Sequence, residues 1–466
     1  GQTEATPEDA SSIQGTIIGS ASYVRGHGYV GALVGTATNT NVLNCANAAE
    51  VSGTDAGVGG LAGSLQSSHV LGCSNSGKVT GVSYVGGISG SSEASFSNCS
   101  NTGAIEATTT TVPSLAAAAA GISARSTGDV VNCYNAGRIT SVASLPITYF
   151  QDPNSIKNCF YDKDTSNITV QYNEYHGRLE GVSTALLKTW GAAYQMNGGL
   201  TGGTSGGGAI TSMTTWRMDD ATAPTNNGYP VLCTAGETMT KATDWQDVGE
   251  WVESFNPNDV NGQALKPTGD GTDANPYLVD SAEALAWIGY ITNVKEQRAS
   301  AKLTNSIDLA GTRYGGQVAA GASTSEERYQ NALTWVPIGK YYGAAAPEIP
   351  ENKGYIGTFT GQGNSIRNMK ATALVNNVDN AVTGNLPWAA GLFGCLAHDS
   401  YLRDLTLESG VVLAESPQGD IYAGAFAGVL GMDATIANCK NAGVDVVVRN
   451  GAAQNAIAGG IAGYTY

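Results

Sequence analysis

Charge is scarce in this chain. Asp, Glu, Lys and Arg make up only 13% of its 466 residues, about half the share found in an average soluble domain. Regularly spaced Val, Ile and Leu still set it apart from disordered acidic segments. The chain therefore folds, on a plan that needs many turns and few charges. Basic residues are the scarcer kind, 23 against 39 acidic, for a net charge of −16. That deficit argues against nucleic acid, whose phosphates demand a basic stripe, and against anionic membrane surfaces. It suits an exported protein kept soluble by its own charge.

Long apolar runs are missing too. No stretch of 18 apolar residues occurs, so no helical membrane span is expected. The opening GQTEATPEDASS is polar and holds no hydrophobic signal segment. Its leading Gly reads as an expression scar, with any export signal removed or outside the chain. There is no Leu-Pro-x-Thr-Gly sorting motif, no Cys-x-x-Cys, and no His-Glu-x-x-His around His27, His69, His176 or His398. These absences point away from zinc and from metallopeptidase chemistry.

Three catalytic-looking matches fail on context. Gly26–Gly31 fits G-x-G-x-x-G with no Rossmann strand before it. Gly203–Gly207 fits the nucleophile elbow inside a glycine-rich loop. Gly72 to Lys78 mimics a phosphate loop, but Val79 stands where Ser or Thr must hold magnesium. The sequence thus yields no catalytic, cofactor-binding or metal-binding residue, and no cofactor is expected.

Glycine, in contrast, is abundant at 62 residues, and it recurs in register. Blocks read GALVG at Gly31–Gly35, GGLAG at Gly59–Gly63 and GGISG at Gly86–Gly90, with a degenerate AAGIS at Ala119–Ser123. Later come AGLFG at Ala390–Gly394, GAFAG at Gly424–Gly428 and GGIAG at Gly459–Gly463. A second block keeps step: NCANAAEV from Asn44, GCSNSGKV from Gly72, NCSNTGAI from Asn98, NCYNAGRI from Asn132 and NCKNAGVDV from Asn438. The first three glycine blocks begin at 31, 59 and 86. A period of that length, made of short apolar runs between Gly, Asn, Ser and Thr, reads as strands divided by turns. It suits one three-sided coil of a parallel β-solenoid, stacked at roughly 4.8 Å on the next, because a single coil cannot bury its own apolar face. Asn and Gly tolerate the left-handed backbone that coil corners require.

The paired blocks resemble the GLUG repeat of bacterial surface and adhesin-like proteins, found also in non-catalytic parts of some immunoglobulin A peptidases. The resemblance spans most of the chain. It implies a right-handed parallel β-helix on an exported protein and supplies no ligand.

The expected organisation is two arrays with short helical caps: an array over 13–160, its cap over 161–233, a linker over 234–266, a helix-containing cap over 267–310, and a second array over 311–466. In the linker, TDWQDVGEWVESF has helical character. Asp280 and Glu283 are expected to form a capping box for a helix over Ser281–Asn293. A second helix-like segment covers Ser183–Asn197. The first half reads as an array's end and the second as an array's beginning, as in a piece of a longer protein. The alternative is that the unfinished ends stack, within or between chains.

Eight cysteines are present. Cys45, Cys73, Cys99, Cys133 and Cys439 occupy the repeat position, with Cys159 in a related NCFY and Cys233 and Cys395 elsewhere. Equivalent side chains on stacked coils run parallel, which favours small buried thiols; a disulfide framework is the alternative that an extracellular setting suggests. Asp270 and Asp273 in GDGTDANP read as a polar turn, with calcium as the sharper alternative. The densest mixture of rings and acids comprises Tyr149, Phe150, Phe160, Tyr161, Tyr172 and Tyr175 beside Asp152, Asp162 and Asp164. It could hold a glycan or belong to a cap. The expected function is a non-catalytic adhesion or spacer module at the bacterial surface or secreted, binding glycans or host or bacterial surface proteins through its loops. An accessory region of a surface peptidase is the alternative. A polysaccharide-active β-helix enzyme ranks behind it, for want of converging carboxylates.

Overall fold

The computed structural model describes residues 11–110, 118–149, 153–168, 179–198, 215–233, 237–238, 240–259, 261–340, 354–373, 388–416, 420–450 and 455–465. The chain is mainly β, with several parallel sheets, and forms two compact units, Gly1–Thr240 and Lys241–Tyr466.

In the first unit each early repeat adds one strand to each of four parallel sheets, and the order within each sheet follows the sequence. One sheet runs Ile17–Ile18, Ala46–Asn47, Ser74–Asn75, Ser100–Asn101, Tyr134–Asn135, Cys159–Asp162 and Leu179–Val182. Another runs Tyr23–Gly26, Glu50–Gly53, Val79–Gly81, Ile105–Ala107 and Ile139–Thr140. Pairing is in register, so like meets like: Val51, Val79, Ile105 and Ile139 form one buried column. Where three sides per repeat were expected, four strands are found, one of them running into the glycine block (Val30–Gly31, Val58–Gly59, Val85–Gly86). There a Cβ on Gly87 would fall onto the Gly121 carbonyl oxygen, so only glycine lets neighbouring repeats approach.

The Asn of the Asn-Cys pair turns each corner. Asn44, Asn98, Asn132 and Asn158 sit at φ 53°, 52°, 55° and 49°, and Gly72 takes the same place at φ 65°. This explains why Gly alone replaces Asn in the motif. After the last repeat the expected helix over Ser183–Asn197 is broken in two, Thr184–Leu187 and Trp190–Met196, at Lys188–Thr189. Ser183 caps the first by accepting from the Leu186 N–H. Trp216–Arg217 pairs antiparallel with Val231–Leu232, and Trp216 donates from Nε1 to the Asn132 carbonyl at 3.2 Å.

The second unit opens with two helices, Trp245–Phe255 and Ala282–Asn293, packed on each other. Gly249 makes this approach possible, since a Cβ there would meet the Ala286 carbonyl. Much of the segment read as a linker is therefore folded: Trp245, Val248, Trp251, Val252 and Phe255 are all buried. The second helix is capped differently from expectation. Ser281, one residue beyond Asp280, accepts from the Ala284 N–H, and Glu283 accepts instead from the Tyr314 hydroxyl at 2.7 Å. A short helix over Ser325–Tyr329 was not anticipated. Five parallel sheets follow, the longest running Tyr277–Val279, Ala301–Leu303, Thr358–Thr360, Tyr401–Arg403 and Thr435–Ala437. Tyr355, Phe359 and Phe393 cluster in its core, with ring centroids 4.9 to 6.4 Å apart. No described helix is long and apolar enough to cross a membrane.

Candidate functional site

The repeat position places Cys45, Cys73, Cys99, Cys133 and Cys159 in one buried column of the first unit. All eight cysteines are free thiols. Each of the five lies 3.3 to 3.4 Å from the carbonyl two residues before it, as from Cys45 to Leu43 and Cys133 to Val131. Burial pushes the Cys73 and Cys133 thiols well up, and in the second unit burial raises Cys395 to about 12. A buried thiol that holds its proton is a poor nucleophile. Cys73, Cys133 and Cys395 therefore fill space.

The next column is polar. Asn47 Nδ2 donates to Asn75 Oδ1, Asn75 to Asn101 and Asn101 to Asn135, each at 2.8 Å. Asn135 closes the series on Ser166 Oγ at 3.2 Å. The second amide hydrogen of each goes to a carbonyl two residues on, as from Asn101 to Gly103 at 2.9 Å. Each amide of this column thereby finds partners.

Of the ring-and-acid cluster expected near Tyr149, residues Phe150, Asp152, Tyr172 and Tyr175 lie outside the described residues, as does His176. Of the rest, both acids are engaged within the chain. Asp162 is fully buried and accepts from the Asp164 and Thr165 N–H groups, from Thr184 Oγ1 at 2.7 Å and from the Tyr229 hydroxyl at 2.7 Å. Asp164 accepts from the Thr184 N–H. Burial and the Asp162 carboxylate push the Tyr229 hydroxyl up to about 12, and the Lys188 ammonium sits 4.3 Å from its ring centre. Asp219, which sequence reasoning missed, organises the neighbouring turn through the Thr225, Asn226 and Gly228 N–H groups. These acids are joints of the structure. Their common signal was the polar turn around each.

The GDGTDANP turn behaves similarly. Asp270 accepts from the Thr272 N–H and hydroxyl, while Asp273 accepts from Ser300 Oγ at 2.6 Å. The two carboxylates serve different partners. Among the histidines, His69 is exposed, and His27 is exposed with Nδ1 2.9 Å from Thr54 Oγ1.

His398 is different. It lies with Asp399 and Asp433 so that one ligand-type atom from each falls within 4.8 Å of the others. Among the described residues this is the sole group of three or more His, Cys, Asp or Glu so placed. Its Nε2 is 3.5 Å from Asp399 Oδ2, and its Nδ1 is 3.6 Å from Asp433 Oδ2 and 3.0 Å from the Met432 carbonyl. Sequence reasoning weighed His398 only against His-Glu-x-x-His and passed over Asp399 and Asp433, although the glycine blocks from Ala390 and Gly424 carried the signal. Phe393 pairs with Ala427, and the same 34-residue offset takes Asp399 to Asp433.

Compared with known proteins, the chain matches no family model, no curated protein and no solved structure.

Proposed function

We propose that this chain is a non-catalytic adhesion or spacer module of a bacterial surface or secreted protein. In this reading its parallel sheets are the faces of a right-handed β-solenoid of the GLUG-repeat kind. The observation that carries it is the register of successive repeats, with Asn on Asn over four of them and the repeat cysteines in one buried cluster. Such stacking makes length by repetition. Each repeat presents its outward residues at a fixed spacing, so weak contacts to a repetitive partner add up. A glycan or a glycosylated surface protein is such a partner. The acids that would otherwise suggest hydrolysis are committed to turns, as at Asp162 and Asp219, which supports a binding role over an enzymatic one.

One experiment tests both halves. The purified chain is offered a panel of polysaccharides and mucins, scored for retention and for newly released reducing ends. Retention without release is the expected outcome. Release of reducing ends would sink the non-catalytic reading, and silence on both counts would leave only the spacer.

A further inference from the structure

We propose that His398, Asp399 and Asp433 bind a divalent transition-metal ion of the zinc class. The backbone brings the three together. Two tight turns, Ala397–Ser400 and Gly431–Ala434, each close by an N–H to carbonyl bond, of 3.2 and 3.1 Å. Each holds its Asp at the third position in left-handed backbone, φ 59° for both Asp399 and Asp433. The turns feed strands Tyr401–Arg403 and Thr435–Ala437, which pair with Tyr401 opposite Thr435. Further bonds run between the turns, from the Gly431 N–H to the Leu396 carbonyl and from the Thr435 N–H to the Ser400 carbonyl, both 2.8 Å. Two exposed carboxylates are thus held with an oxygen of each within 4.8 Å of the other, where like charges repel. A cation between them removes that repulsion.

The imidazole supplies the third donor. Its Nδ1 faces the Met432 carbonyl at 3.0 Å. A carbonyl only accepts, so Nδ1 carries a proton, and in the neutral ring Nε2 presents its lone pair on the side of Asp399. Orientation of a ligating histidine by a backbone carbonyl is the common arrangement in metal sites. The spacing also suits an ion. Ligands about 2.1 Å from zinc at tetrahedral angles stand about 3.4 Å apart. From the ligating Nε2, Asp399 Oδ2 stands at 3.5 Å; one ligand-type atom of Asp433 falls within 4.8 Å of the other two, so a rotation of its exposed carboxylate completes the set. One nitrogen and two carboxylate oxygens favour zinc, nickel or copper over calcium, which takes six to eight oxygens. Water completes the coordination, and the ion ties two successive repeats of the second unit together.

The test is calorimetric titration of zinc chloride into the full chain, repeated with calcium chloride. One saturable zinc site is expected, weakened at least about tenfold by His398→Ala and by Asp433→Asn, and unchanged in His27→Ala. Asn tolerates the left-handed turn, so Asp433→Asn decides the matter should His398→Ala disturb folding. Absence of saturable zinc binding, or equal binding by both site variants, would overturn the site and leave an ion pair. Displacement of zinc by an equal concentration of calcium would overturn the metal class.

Discussion

The two units fill the same kind of parallel pairing with opposite chemistry. In the first, the position two residues after the repeat cysteine is Asn in four successive repeats, and the amides bond one another. In the second, the column that ends at Asn441 is built from Ile307, Ile366 and Leu407. Asn441, with Leu407 beside it, turns to the backbone instead. Its Nδ2 donates to the Val444 and Gly460 carbonyls, both at 3.0 Å, and its Oδ1 accepts from the Val444 N–H. The backbone pairing accepts either filling, provided a column is consistent. An amide column fixes register by directional bonds that fail on a slip; an apolar column fixes it by volume.

This contrast can be broken at several points. The largest effect is expected in the aromatic core of the second unit. Phe393→Ala should cost about 3–5 kcal/mol in urea unfolding, against about 1 kcal/mol for Cys99→Ala in the thiol column of the first. Equal losses would mean the thiol column carries more than packing. Next comes the amide column. Asn101→Leu removes the bonds to Asn75, Asn135 and Gly103 within the buried interior and should cost roughly 2–4 kcal/mol. Asn441→Leu should cost about 1 kcal/mol or less, since that side chain is partly exposed and its column is already apolar. A similar loss at both sites would refute the distinction between the columns.

Acid should separate the units locally. Burial works against ionisation of Asp219, but the Thr225, Asn226 and Gly228 N–H groups outweigh it and hold the carboxyl below its ordinary value. Its stabilisation is present above about pH 4 and is lost as pH falls through the folded value. Glu250 in the second unit is raised, by burial and then by Asp247. Its contribution is present below its unfolded value and is lost as pH rises through the raised one. Carboxyl NMR titration should place Asp219 below and Glu250 above their ordinary ranges, and Asp219→Asn should blunt the acid sensitivity of the first unit. The smallest effect belongs to the exposed Lys78–Glu106 pair at 2.9 Å. Lys78→Ala should change stability by less than about 1 kcal/mol; a larger loss would show that surface charges help to align repeats.

Much of the fold was legible because repetition leaves a period in the chain. The glycine blocks marked where repeats touch, the Asn of Asn-Cys marked the corners, and the equivalent cysteines pointed to buried thiols. Boundaries were less legible. The capping position moved from Asp280 to Ser281, since a cap depends on which oxygen reaches the first free N–H groups. The segment around Trp251 looked like a linker because its apolar stripe shows no partner until Ala282–Asn293 packs against it. The acids near Asp162 invited a binding reading because composition records what is near in sequence and not what each carboxylate already holds.

The sequence by itself determined the mainly β character, the repeat and its corner residues, since these rest on local backbone preference and on a period that stacked parallel strands require. Only the tertiary structure decided which polar groups are spent and which converge. Thr184 and Tyr229 reach Asp162 across 22 and 67 residues, and Asp433 reaches His398 only because two turns are stacked by strand pairing. Such meetings depend on how the chain returns past itself, which no local pattern encodes.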